Sequence, residues 1–187
     1  LPFMDAWTNV FASIGTRTTG NDAGAYALVG PDWTGEVPAG TQKIKSPTNM
    51  VWMIGRIQTN GKDDIPNVSA IQDQFSITPL SNWTSGRPNS ATAINTLKDS
   101  GKVKPKQQID ELSTTEFFNM LSQLMSAQPP SLNDIEAVQN LENIGMAPGK
   151  PFELDELGPL KRRLVEKGTE IANRKLHEAI NNKEDKP

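Results

Sequence analysis

The first 80 residues are cut into short runs of β-formers by turn residues at close intervals, and the chain beyond residue 110 is not. The runs are "LPFMDAWTNVFASIG", "AYALVGPD", "TQKIKS" and "NMVWMIGRIQTN"; "TTGNDAG", "DWTGEVPAG" and "KSPT" separate them. Glycine and proline at that spacing break helices and start turns. Several short strands between such turns point to an antiparallel β-sandwich or jelly-roll-like portion, not to alternating βαβ units. One short helix fits "DDIPNVSAIQDQF", where Ile65, Val68, Ile71 and Phe75 recur at helical spacing.

Beyond residue 110 the period changes. Ser113 with Glu116 three positions on is a capping-box arrangement ahead of "FFNMLSQLM", a helix that Pro129-Pro130 must end. "SLNDIEAVQNLENIG" starts a second helix that stops near Gly145. Pro159 suits the first turn of a third, along which Leu160, Leu164, Ile171, Leu176 and Ile180 form an apolar stripe. The expected class is α+β: residues 1–80 a β-rich jelly-roll-like portion, 81–110 a polar loop or linker, and 111–187 a helical segment of about three helices.

Composition removes several chemistries. A net charge of −3 and a pI near 5.3 do not provide the basic face a nucleic-acid binder needs. The chain has no cysteine, which excludes disulfides, thiolate metal sites and cysteine nucleophiles. His177 is the only histidine and sits among Lys175 and Glu178 on the last helix, so serine–histidine catalysis and histidine-rich metal sites are not expected. No apolar run approaches the roughly 18 residues of a membrane span. No metal or organic cofactor is implied.

The polar residues of the first run raise the functional question. Read as one strand, it puts Met4, Ala6, Val10, Ala12 and Ile14 on one face, and Phe3, Asp5, Trp7, Asn9 and Phe11 on the other. The second face is apolar but interrupted by a carboxylate, an indole and an amide. Either a buried network satisfies these groups, with Asp5 accepting from Arg17, Arg56 or backbone donors, or they line a ligand cleft. In "SPTNMVWMIGR", Met50, Trp52, Ile54 and Arg56 share one face, with Asn49, Val51, Met53 and Gly55 on the other. Asp5, Trp7, Asn9, Arg17, Thr18, Asn49, Trp52 and Arg56 are the candidate ligand-binding residues, and no catalytic set is assigned.

The blocks "DAWTNVFASIGTRTTG", "YALVGPDWTGEVPAG", "IKSPTNMVWMIGR" and "IQDQFSITPLS" carry a resemblance. In their order and spacing over residues 1–80 the chain resembles the bacterial family called domain of unknown function 1254, usually followed by domain of unknown function 1214. "FFNMLSQLMSAQPP", "NIGMAPGKPFEL" and the last helix continue the resemblance to about residue 180. It implies a jelly-roll-like domain with a helical segment, in exported or envelope-associated (periplasmic or secreted) proteins, with no established activity.

Two functions follow as expectations. One is a non-enzymatic binding or assembly module whose tryptophans, Trp7, Trp33 or Trp83, stack a carbohydrate or another flat apolar ligand. The other is a carboxylate-based hydrolase or lyase with Asp5 as base and Arg17 or Arg56 as electrostatic stabiliser. Against the family pattern the chain lacks strands ahead of "LPFMDAWTN" and the second domain, so it reads as part of something longer. The first strand is then expected to expose an edge, and the apolar stripe of residues 160–180 to need a surface, so a second copy or missing parts of the same polypeptide should contact the first strand or the terminal helix.

Overall fold

The run from Leu1 to Gly15 does not stay one strand. In a computed structural model, which describes residues 1–84 and 104–184 (for 84, 105 and 181–184 the backbone alone), it folds back on itself as a hairpin. Strand β1 (Pro2–Met4) and strand β2 (Val10–Ser13) pair antiparallel, with Pro2 opposite Ser13, Phe3 opposite Ala12 and Met4 opposite Val10. The register slips between Phe3 and Met4, so Phe11 is an extra residue and the strand bulges there. That bulge sets the Phe11 ring 6.3 Å from Phe3, tilted by 50°. The two rings meet through the hairpin, and not through alternation along one strand.

Two compact units divide the chain, Leu1–Thr96 and Leu97–Pro187. In the first, β3 (Ala25–Val29) and β4 (Thr41–Lys45) form a two-stranded ladder from Ala25–Thr41 to Val29–Lys45, which the Ser46 N–H extends by donating to the Val29 carbonyl at 2.8 Å. This ladder is parallel, which corrects the expectation of antiparallel strands throughout. Residues 30–40 form a link of about the length a parallel crossover needs, so β4 starts level with the start of β3. Trp33 in the link lies under the Lys43 ammonium, 4.8 Å from the ring centroid, and Gly35 passes so close that a Cβ would stand 2.7 Å from that indole.

Strand β5 (Trp52–Met53) pairs with the other side of β1, placing Met53 opposite Phe3 and Trp52 opposite Met4. The sheet order is therefore β2-β1-β5. Strand β1 is the middle of its sheet, so the edge expected of the first run falls on its second half, β2, and the other edge is β5. With three and two strands, the sheets establish a mixed α+β fold. Phe3, Ala27 and Val29 are buried, and with them the polar side chains of Asp5, Ser46 and Thr48. Helices α1 (Ile65–Gln72) and α2 (Leu80–Thr84) follow, the first as the Ile65–Phe75 spacing predicts.

In the second unit, α3 (Pro105–Asp110) lies inside the stretch expected to be loop. Pro105 opens it, and the side-chain pairs Lys106–Asp110 and Gln107–Glu111 brace it at i,i+4; residues 85–103 of that stretch fall outside the described residues. Helix α4 (Thr114–Ala127) begins as the sequence predicts, with the Ser113 hydroxyl accepting from the Glu116 N–H and the Glu116 carboxylate accepting from the Ser113 N–H at 2.8 Å. Helix α5 (Ile135–Asn143) ends at Gly145, whose φ of 91° closes the last turn. Helix α6 runs from Pro159 to Glu184.

The core of this unit is Met125, Met146, Phe152 and Val165. Polar side chains of α4 hold the segment after α5 against it: Asn119 donates to the Phe152 carbonyl at 3.0 Å and accepts from its N–H at 2.8 Å. Ser122 directs its hydroxyl at the carbonyls of Ala147 and Lys150. Along α6 the buried position is Val165, while Leu160, Leu164 and Leu176 of the expected stripe are exposed.

The α4 cap carries a pH prediction. The Ser113 hydroxyl first, and its N–H second, hold the Glu116 carboxyl below its ordinary value. A carboxylate lowered on folding stabilises above its unfolded pKa, about 4.3, and that contribution is lost as pH falls through the lower folded value. In acid titrations of thermal unfolding, Glu116→Gln should flatten the decline in that window. An unchanged slope would show that the cap carries no charge-dependent stability.

Candidate functional site

Asp5 sits at the hairpin's reversal and not on a strand face. Its carbonyl accepts from the Thr8 N–H at 3.0 Å and its N–H donates to the Asn9 carbonyl at 3.0 Å, closing a three-residue loop of Ala6, Trp7 and Thr8. Oδ1 of Asp5 accepts from the N–H groups of Trp7 and Asn9, both at 2.9 Å, and Oδ2 accepts from the Asn9 side-chain amide at 3.2 Å. The residue is 6% exposed. Both carboxylate oxygens are committed to the turn, so taking a substrate proton would mean breaking these bonds.

The loop is also strained. Thr8 has φ of 67°, the one non-glycine residue in the left-handed region among the described residues. A β-branched side chain is disfavoured there by roughly 1–2 kcal/mol, so the Asp5 bonds hold a conformation the residue does not prefer.

A second polar group fixes the loop from outside. Thr48, 1% exposed, accepts from the Ala6 N–H through its hydroxyl at 3.0 Å and donates that hydroxyl to the Met50 carbonyl at 2.7 Å. Ser46 donates its hydroxyl to the Thr48 carbonyl at 2.6 Å and accepts from the Thr48 N–H at 3.2 Å. Because the Ser46 N–H continues the β3–β4 ladder, "SPT" ties the parallel pair, the hairpin loop and the start of β5 together. Neither residue was a sequence candidate; the segment reads as a turn, and only its side-chain bonding gives it this role.

The candidates divide between the two ends of the β2-β1-β5 sheet. Asp5, Trp7 and Asn9 mark the loop end, where Trp7 is half-buried and Asn9 exposed; Trp52 lies on β5 beside Met4, next to that end. Asn49 lies against Gly30 at the end of β3, its Oδ1 2.8 Å from where a Cβ would stand. Arg17 and Thr18 belong to the turn leaving β2 at the opposite end, where Leu1 and Ile14 exchange backbone bonds of 2.9 and 3.0 Å. Thr18 is used there, its N–H and hydroxyl both donating to the Gly15 carbonyl. Arg56 is at that same far end, beside Leu1, Pro2 and Ile54. Asp5 is separated from these arginines by the length of β1, roughly 10 Å at the strand rise.

The register does assemble an apolar face. Residues directly opposite across paired strands share a face, so Val10, Met4 and Trp52 stand abreast across the three strands. Alternation along β1 and β5 adds Pro2 and Ile54 to that side, while Phe3 faces the core. Val10 is 61% and Trp52 57% exposed. The face ends in a shallow hollow of about 300 Å³ lined by Leu1, Pro2, Ile54 and Arg56. That is at the lower end of the ligand-pocket range. Among the described residues Arg56 has no ion-pair partner.

The turn gives a stability prediction. Asp5→Ala removes the acceptor of three N–H donors and should cost about 3 kcal/mol, whereas Asp5→Asn keeps Oδ1 and should cost about 1 kcal/mol. Thr8→Gly relieves the left-handed strain and should stabilise by about 1 kcal/mol. Chemical denaturation measures all three; a destabilised Thr8→Gly protein would contradict the strain assignment.

Comparison with known proteins follows this geometry. Residues 1–79 match the family model described as "Protein of unknown function (DUF1254)". The crystal structure of the VPA0106 protein from Vibrio parahaemolyticus is similar, with a TM-score of 0.65 at 22% identity over 95% of this chain. The match covers 40% of that chain, so this sequence spans well under half its length, and the likeness is one of fold. Comparison with curated proteins gives no match. Residues 1–79, under half of the chain, are thus similar to the DUF1254 family of proteins of unknown function.

Proposed function

We propose that this chain is a non-enzymatic binding or assembly module of an exported or envelope-associated bacterial protein. Its working surface is the open face of the β2-β1-β5 sheet. The observation that carries the reading is the row Val10, Met4 and Trp52, large apolar side chains set abreast with the outer two more than half exposed. Contiguous apolar surface of this kind marks a binding face, because leaving it in water costs free energy that a ligand recovers. The periplasmic or secreted setting rests on the family resemblance. So does the larger jelly-roll-like domain to which the two small sheets would contribute, alongside further copies or further parts of the same polypeptide.

Trp52 is the stacking platform in this reading. Beside it Met4, Val10, Pro2 and Ile54 bring no hydroxyl, amide or charge, and Ser13, opposite Pro2, brings a single hydroxyl, fewer partners than sugar hydroxyls need. The face therefore suits an apolar ligand better than a glycan. The hydrolase alternative has nothing comparable in its support, since Asp5 is occupied by the turn and lies away from both arginines.

The test uses a neutral apolar probe. Nile red should bind at a single site, and Trp52→Ala should weaken it about tenfold while leaving unfolding stability within about 1 kcal/mol. Binding indifferent to Trp52→Ala would remove the sheet face from the account.

A further inference from the structure

The apolar face carries charge at one end only. Trp52 stands on β5, Ile54 just past its end donates its N–H to the Pro2 carbonyl at 3.4 Å, and Arg56 follows two residues on. Pro2, Ile54 and Arg56 line the same hollow, which places Arg56 at the end of the face away from the hairpin loop. Among the described residues no acidic side chain belongs to this face: Asp5 is folded into the hairpin turn, and the face holds Val10, Met4 and Trp52, then Ser13, Pro2 and Ile54. Arg17 leaves the sheet from the turn after β2 at that same end, exposed and without an ion pair among the described residues. An apolar strip closed at one end by unpaired guanidinium charge is complementary to a molecule of opposite layout.

Resting on the binding-face reading above, we infer that the ligand is a single-chain amphiphile with an anionic head. Its carboxylate or phosphate meets Arg56, and its chain runs from there over Ile54 and Pro2 to Trp52 and Met4. A guanidinium presents paired N–H donors that match either head group, and such charge-assisted bonds are stronger than neutral ones. The hollow of about 300 Å³ has room for one chain end or head group.

Calorimetric titration of the whole chain with decanoate, decanol and decyltrimethylammonium tests this. Decanoate should bind about tenfold more tightly than decanol, and decyltrimethylammonium more weakly than either. Arg56→Gln should bring decanoate down to the decanol affinity, Arg56→Lys should keep most of the preference, and Trp52→Ala should weaken both. Circular dichroism confirms that the variants, all at exposed positions, are folded. Equal binding of decanoate and decanol, with both sensitive to Trp52→Ala, would overturn the anionic head and leave the binding face standing. Insensitivity of every probe to Trp52→Ala would overturn both. Sedimentation with phosphatidylglycerol vesicles without saturable decanoate binding would overturn the single-chain ligand in favour of a membrane surface.

Discussion

The Asp5 carboxylate is the constraint on which the first unit depends. Three N–H groups converge on it and reverse the chain within three residues. The reversal makes β1 the middle of a sheet instead of part of one long strand. Thr48 then pins the reversed loop to the beginning of β5 and, through Ser46, to the β3–β4 ladder. These groups are buried, where an unsatisfied polar atom costs more than a hydrogen bond contributes. Among the described residues no buried side-chain nitrogen or oxygen is left without a partner. Two hydroxyls and one carboxylate thus tie together two small sheets, neither large enough to stand alone, in a unit that buries Phe3, Ala27 and Val29.

The binding face follows from that reversal. With β1 central, Met4 takes neighbours on both sides, and the register brings Val10 and Trp52 level with it. Asp5, Trp7 and Asn9, which interrupt the apolar pattern of the sequence, are removed from the sheet by the turn, so the face is left apolar but for the Ser13 hydroxyl and Arg56. The carboxylate of the hydrolase reading is itself taken up by the turn. The second unit uses a related device: Asn119 and Ser122 on α4 satisfy backbone groups of the segment that delivers Met146 and Phe152 to the core.

Much of this was legible in the sequence, with specific failures. The α4 capping box, the end of α5 at Gly145 and the start of α6 at Pro159 are local rules acting within one turn, and local rules are what a sequence displays. The hairpin was not legible, because its left-handed position carries Thr8 where glycine or asparagine would announce the turn, and because alternation ran unbroken through Asp5, Trp7 and Asn9. The alternation of Trp52, Ile54 and Arg56 was readable, but which strands lie beside them depends on long-range register. The parallel pairing of β3 with β4 was hidden for the same reason. On α6 the stripe was readable, yet burial fell on Val165, since what covers a helix is decided by tertiary packing.

Amide hydrogen exchange tests the central claim most directly. If Asp5 and Thr48 hold the loop as a structural element, the amides of Ala6, Trp7 and Asn9 should be protected to nearly the same degree as those of Phe3 and Met4 in the middle strand. Exchange of those three amides at the rate of an unstructured loop, with the sheet still protected, would contradict it. The sheet face would then be held by something other than the turn.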